Sequence, residues 1–401
     1  MPARKAYLAL LFLVIIGSTC SGRKDPDTGR VRVLYIGDMI RPSPYPIMEA
    51  EPLIDVRVAW PVGPDLTQRS VPFAKKLLRQ YIPRTYSQLA VNDVIVIDNP
   101  ERTIFEPRYL VWFRDAVIEN GSGLFMVGGN AAFGGRPGSS WEPTPVQDVL
   151  PVYCVTGGWL EPGRLKILKP QDEFVSSLPL EKRWEWMEAL GGNEVKMKPG
   201  ARMLAEYVGL MGYWTNPFWA TWDVGKGRSF AQTVDWTPAG GTLLMRWPFY
   251  ADYAVNLMLY VSKNPVPRDI DLMHKLRMLF LEYRSTRSYL YSVIEFAEKI
   301  GANMAPVNRV ITQASEKHRL SVERYLDYRF DEASETLDSA IDQLAQASTL
   351  AFELKDQAML WIFAIEWLVV TGTIALGGFA LWTLMVRRAL YKETESTRFS
   401  T

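Results

Sequence analysis

Histidine and cysteine are almost absent from this chain of 401 residues, which has two of each. Cys20 and Cys154 are too few for a disulfide framework or a cysteine-based zinc site. His274 and His318 both fall in helical segments, which argues against a histidine-built metal cluster. Net charge is scarce as well, with 45 basic against 44 acidic side chains. No basic cluster with interleaved aromatics occupies one element, so nucleic acid is not an expected partner. No metal and no cofactor is expected. Cys154 reads as a small buried apolar residue, the commonest state of a free cysteine.

Long apolar runs are also few, and they lie at the two ends. Arg4 and Lys5 precede the run from Ala6 to Ile16, followed by the small residues Gly17, Ser18 and Thr19. That order is a secretory signal over residues 1–22, too short to span a bilayer. An uncleaved N-terminal anchor and lipidation of Cys20 are the competing readings, although Gly17 and Thr19 depart from a lipoprotein signal. Near the other end, Trp367 to Val386 has 20 residues without a formal charge, and Arg387, Arg388 and Lys392 follow. A transmembrane helix over 359–386 is therefore expected, with 387–401 as a cytoplasmic tail. Trp361, Trp367 and Trp382 suit the two interfacial belts. Glu366 is expected at the outer headgroup level, and Thr373 with Gly377 is a small-residue spacing suited to helix contact.

The middle divides by texture. Val31 to Ile36, Asp93 to Ile97 and Gly123 to Val127 read as short buried strands, with a helix over Arg108 to Glu119 between the last two. Strands of this kind alternating with helices predict a parallel sheet covered on both faces. Ligands of such sheets bind at the C-terminal strand ends. Those ends supply the candidate ligand-binding residues Gly37, Asp38, Asp98, Gly128, Gly129 and Asn130. Asp235 joins them at the end of a further strand expected over Gly227 to Trp236. Two readings stand for the aspartates: an acidic constellation, or helix caps and turn bonds. Two stand for the glycines: a backbone cradle at a helix N-terminus, or the freedom a tight turn requires.

Trp141 to Trp247 holds nine of the fourteen tryptophans. Trp184, Trp186, Trp214, Trp219 and Trp222 are candidates for stacking on a glycan, with core packing or a protein contact as the alternative. Phe249 to Val261 reads as an amphipathic helix closing the domain. From Asp269 to Gln357 the pattern is helical: one helix capped by Asp269 and running towards Gly301, one over Val307 to Tyr328, and one from about Asp331 with a stripe of Leu337, Ile341, Leu344 and Leu350. This 269–357 stalk is expected to form an antiparallel bundle or hairpin. Its tyrosines Tyr283, Tyr289, Tyr291, Tyr325 and Tyr328 read as an exposed contact surface.

Four segments carry a family likeness: VRVLYIGD from Val31, GSGLFMVGGNAAFG from Gly121, TPVQDVLPV from Thr144 and GKGRSFAQTVDW from Gly225. Together they resemble the class I glutamine amidotransferase-like domains, over residues 31–265. The resemblance implies a flavodoxin-like α/β sheet. In active members of that family a Cys follows the central strand in a sharp turn, with a His and a Glu later. The matching turn here, Gly128 to Ala132, has neither Cys nor Ser, and no His precedes His274. No catalytic residue is therefore expected. The reading is a non-catalytic, membrane-anchored binding or scaffold protein with its large domain outside the cytoplasm. Its partners would be the bilayer and a membrane or cell-surface protein, or a second copy through the stalk. The alternative is an extracytoplasmic enzyme or glycan-binding protein acting on carbohydrate or cell-envelope material.

Overall fold

The computed structural model describes residues 22–37, 43–59, 71–135, 139–180, 188–237 and 244–398. The signal segment, Asp38, Trp184 and Trp186 lie outside the described residues. The chain forms two compact units: one takes in the chain to Leu281 with Val322–Ser334, the other Glu282–Ser321 and the chain from Glu335.

In the first unit, strands β1 (Val31–Gly37), β2 (Ile54–Val58), β3 (Val94–Asp98) and β4 (Gly123–Val127) are joined by helices α1 (Tyr45–Ala50), α2 (Val71–Tyr81), α3 (Tyr86–Ala90) and α4 (Pro107–Ile118). After α5 (Pro145–Val149) come β5 (Val152–Leu160), β6 (Gly163–Ile167), the short α6 (Glu173–Ser176), β7 (Glu188–Ala189), β8 (Gly192–Met197), β9 (Arg202–Gly209), β10 (Thr215–Val224), β11 (Gly227–Gln232) and α7 (Tyr250–Val261). One sheet has the order β2-β1-β3-β4-β11-β10-β9-β6-β7, and β5 pairs with β8 separately. From β2 to β11 the pairs are parallel. From β11 outwards they are antiparallel. The parallel half was legible as alternating strand and helix; the antiparallel half occupies the tryptophan-rich stretch that gave no such signal.

Every residue of β3 and β4 is buried, because helices cover both faces of the parallel half. Leu34, Ile36, Ile95, Ile97, Leu124 and Met126 share one core with Leu78, Phe113 and Val117 of α2 and α4. On the other face, Phe125 meets Phe230 and Trp236 edge-on, and Trp219 stacks on Tyr253 of α7.

Two expectations need correction. The strand from Gly227 ends at Gln232, not at Asp235: the Thr233 carbonyl accepts from Asn193 N of β8, and Asp235 closes a turn by accepting from Thr237 N. The α7 helix is not amphipathic, since all twelve of its residues are buried. Its polar members, Asp252 and Asn256, face the Arg277 guanidinium instead of water.

Helices α8 (Ile270–Lys299), α9 (Ala305–Leu326) and α10 (Phe330–Arg398) make up the rest. Asp269 caps α8 as expected, its Oδ1 accepting from Leu272 N at 3.1 Å. Within the second unit the buried residues step at alternate intervals of three and four. Among them are Leu290, Ile294 and Ala297 on α8; Met304 just before α9 and Val307, Ile311 and Ala314 on it; and Leu337, Ala340, Leu344, Ala347 and Ala351 on α10. This is the seam of a coiled coil. The expected α10 stripe is thus corrected: Ala340, Ala347 and Ala351 join Leu337 and Leu344 in the seam, and Ile341 and Leu350 are only half-buried. Tyr283 and Tyr325 are buried, whereas Tyr289, Tyr291 and Tyr328 are exposed as expected.

Candidate functional site at the strand ends

Parallel register brings the C-terminal ends of β1, β3, β4 and β11 side by side. Gly37 pairs with Asp98, Asp98 with Val127, and Val127 with Gln232. Five of the candidate residues, Gly37, Asp98, Gly128, Gly129 and Asp235, therefore meet along one edge. Asn130 also lies there and points to solvent.

Asp98 is 2% exposed. Its Oδ2 accepts from the Tyr35 hydroxyl and, at 3.0 Å, from Trp236 Nε1. Burial, and then the negative charge of Asp98, push the Tyr35 hydroxyl well above its ordinary value, so it stays a donor. Gly37 has no room for a side chain, since a Cβ there would stand 2.4 Å from Asp98 Cβ. The buried carboxylate thus has the Tyr35 hydroxyl and the Trp236 indole N–H among its partners.

The turn after β4 does not open a helix. It runs through bends and turns from 128 to 135. Its amide groups are taken by the protein itself. Gly128 N donates to Gln232 O, Gly129 N to Asn193 Oδ1 at 2.8 Å, and Ala131 N to Asn99 Oδ1 at 2.7 Å. Asn193 Nδ2 returns bonds to Gly129 O and Ala132 O. Asn216 in turn holds β8, accepting from Val195 N and donating to Asn193 O. Asn99 and Asn193 thus occupy the cradle that backbone amides would offer an anion at a helix N-terminus, with Asn216 holding Asn193's strand from behind. A Cβ at Gly129 would stand 2.3 Å from Asn99 Cγ, and Asn99 itself holds a φ of 56°. Glycine is required here because Asn99 occupies the space.

Sequence reasoning missed Asn193 and Asn216. Each is one asparagine among many, and only the pairing of distant strands gives it a partner. Asn99 had a signal, since it closes the apolar run of β3.

Asp235 accepts from Thr237 N at 2.7 Å, the turn bond that was one of its two readings. Burial raises its carboxyl to about 6. The folded form thus binds its proton more tightly than the unfolded chain. The associated stability is fully present below the unfolded pKa and is lost as pH rises through about 6. In a thermal-melt series from pH 4 to 7.5, the wild type is expected to lose stability across this window. Asp235→Asn should flatten that component, and parallel pH profiles for the two proteins would contradict it.

Cys154 is buried, as expected, and burial pushes its thiol up to about 12. It is no nucleophile. Trp219 is fully buried, so it is removed from the glycan candidates, and Trp214 packs on Tyr207. Trp222 is half-buried beside Lys198, whose ammonium lies 5.3 Å from its ring centroid. Among the described residues, no group of three His, Cys, Asp or Glu side chains is placed to hold a metal ion.

Residues 65–263 match the GATase1-like family model, described as "Putative glutamine amidotransferase". Two solved structures, both cytoplasmic proteins from Salmonella typhimurium, are each 20% identical to the chain, with TM-scores of 0.46 and 0.43. Each similarity covers 58% of this chain and 99% of the other. No curated protein matches the chain. An amidotransferase-like domain, on an α/β sheet whose strand-end turn is filled by asparagines, occupies this part of the chain.

Proposed function

We propose that this chain is a membrane-anchored binding or scaffold protein whose amidotransferase-like domain stands outside the cytoplasm and does not turn over glutamine. The observation that carries the anchoring is in α10. Its apolar stretch is long enough to cross a membrane, and none of it is buried. Leu360, Trp361, Phe363, Trp367, Leu368 and Ile374 are each more than half exposed. An apolar helix surface of that kind needs lipid or a partner to cover it. Arg387 and Arg388 follow the stretch, which puts that end on the cytoplasmic side.

Protease added to the outer face of sealed membranes should degrade the large domain and leave a short C-terminal fragment. A fully protected domain would reverse the orientation. The absence of turnover rests on the strand-end turn. Nucleophilic acyl transfer needs a Cys or Ser beside a base, and Gly128 to Ala132 offers neither. Purified protein incubated with glutamine is expected to release ammonia no faster than buffer. Release that disappears when Asp98 is changed to Asn would refute the non-catalytic reading.

Coupling between domain and membrane is part of the same proposal. α10 is one helix of 69 residues, Phe330–Arg398. At 1.5 Å per residue it is about 100 Å long. A helix of this kind holds its ends at a fixed separation, whereas a flexible linker does not. The exposed Tyr289 and Tyr291 leave the stalk a surface for a membrane-protein partner or a second copy.

A further inference from the structure

We infer that the turn between α8 and α9 rests in the lipid headgroup layer, so that the helical bundle stands directly on the bilayer. This inference depends on the reading of α10 as a membrane span.

The register of the bundle carries the argument. Tyr283 stacks on His318 at 4.1 Å, which pairs α8 with an antiparallel α9. Lys317 Nζ donates to Ser339 Oγ at 2.7 Å, which pairs α9 with an antiparallel α10. α8 and α10 therefore run in the same direction, and Tyr289 packs on Phe352. Carried forward at the common rise per residue, these registers place Gly301 level with roughly residues 356 to 364 of α10. The bundle core ends at the same level, with Ala297, Met304 and Ala351 as its last buried residues. The outward apolar surface begins there too, with Leu360 68% and Trp361 66% exposed. Glu353, Lys355, Asp356 and Gln357 separate Ala351 from Leu360, on the stretch of α10 that the registers place at or about the level of Gly301.

The turn is built to hold its position. Gly301 has a φ of 86°; its N–H donates to Glu298 O, and Ala302 N donates to Ala297 O, both at 3.0 Å. These two bonds close the helix end in a Schellman motif. Asn303 Oδ1 then accepts from Ala305 N at 3.1 Å, which caps the start of α9 after a connection of only Ile300 to Met304. A turn fixed at both ends cannot fold away from the surface it meets. Its chemistry also suits an interface. Phe296 is 51% exposed one turn above it, Ile300 and Ala302 are half-buried, and Lys299 is exposed and ion-paired with Glu295 at 2.7 Å. Aromatic, small apolar and cationic groups together are the composition of the headgroup level.

The test is a depth measurement on the full chain reconstituted in phospholipid vesicles. Single cysteines are placed at Ala302, at Val370 within the span and at Glu335 near the start of α10, in a Cys20→Ser background. Each is labelled with an environment-sensitive maleimide dye. Cys154 is buried with its thiol raised to about 12, so it does not take the label. Brominated lipid should quench the dye at 370 and at 302, with a blue shift at both, and leave 335 as in water. Quenching at 370 with a water-like signal at 302 would overturn the inference while leaving the membrane span intact. A water-like signal at 370 would sink the span itself, and the inference with it.

Discussion

Arg277→Ala should cost the folded protein about 3–5 kcal/mol, the range for removing one partner of a buried ion pair. The side chain is 3% exposed and serves three acceptors. Its Nε donates to Glu51 Oε2 at 3.2 Å, one terminal nitrogen to Asp252 Oδ1 at 2.8 Å and the other to Asn256 Oδ1 at 2.8 Å. Glu51 and Asp252 are 4% and 1% exposed, so neither carboxylate can turn to water once the guanidinium is gone. His274 Nδ1, 2.6 Å from Asp252 Oδ2, is one remaining partner for Asp252 and offers nothing to Glu51. Lysine is a poor substitute, because a single ammonium cannot match three acceptors spread around a planar fork. Urea unfolding in detergent, followed by tryptophan emission, reads the effect directly. An unchanged midpoint for Arg277→Ala would mean that this network does not hold the domain together.

Asn193→Ala is expected to cost about 3–5 kcal/mol, by a different route. The residue is fully buried and makes three bonds to the turn after β4. Alanine leaves Gly129 N, Gly129 O and Ala132 O without these partners, at about 1–3 kcal/mol for each buried polar group left unmet. Part of that is recovered if water enters the space the amide leaves. The turn should also loosen selectively, so that the amides of Gly129 and Ala131 exchange with solvent faster than those of β4. A variant with wild-type stability and unaltered exchange at Gly129 would show that the asparagine lattice is dispensable. Asn193→Asp separates hydrogen bonding from size. It keeps the acceptor for Gly129 N but loses the two donors and buries a charge, so it should be no better than alanine.

These two residues show what could not be read one-dimensionally. Arg277 lies 226 positions from Glu51 and 25 from Asp252, and nothing in a helical stretch of Leu, Met and Arg announces that one guanidinium turns inwards. Asn193 follows two glycines and reads as a turn residue; its role exists only because β8 and the β4 turn meet. By contrast, β1, β3 and β4 were legible nearly to the residue. A strand buried on both faces needs an unbroken apolar run, and Gly37, Asn99 and Gly128 mark where each run stops. Gly37, Asp98, Gly128, Gly129 and Asp235 lie along one sheet edge, and the sequence left two readings for these aspartates and glycines. Packing now gives Gly37 and Gly129 a plain reason, since a neighbouring side chain already occupies the space a Cβ would need.

The sequence by itself determined β1, β3 and β4 of the parallel half, the three long helices, the apolar stretch before Arg387 and a strand-end turn without Cys or Ser. Each of these is written in local periodicity, run length or residue type, which a chain cannot conceal. Tertiary structure alone decided the antiparallel half of the sheet, the burial of α7 on all sides and the filling of the strand-end turn by Asn99 and Asn193. It also decided the level at which the α8–α9 turn meets α10. Those features depend on which distant groups come within hydrogen-bond or van der Waals reach, and that is fixed by the pairing of elements, not by the pattern within any one of them.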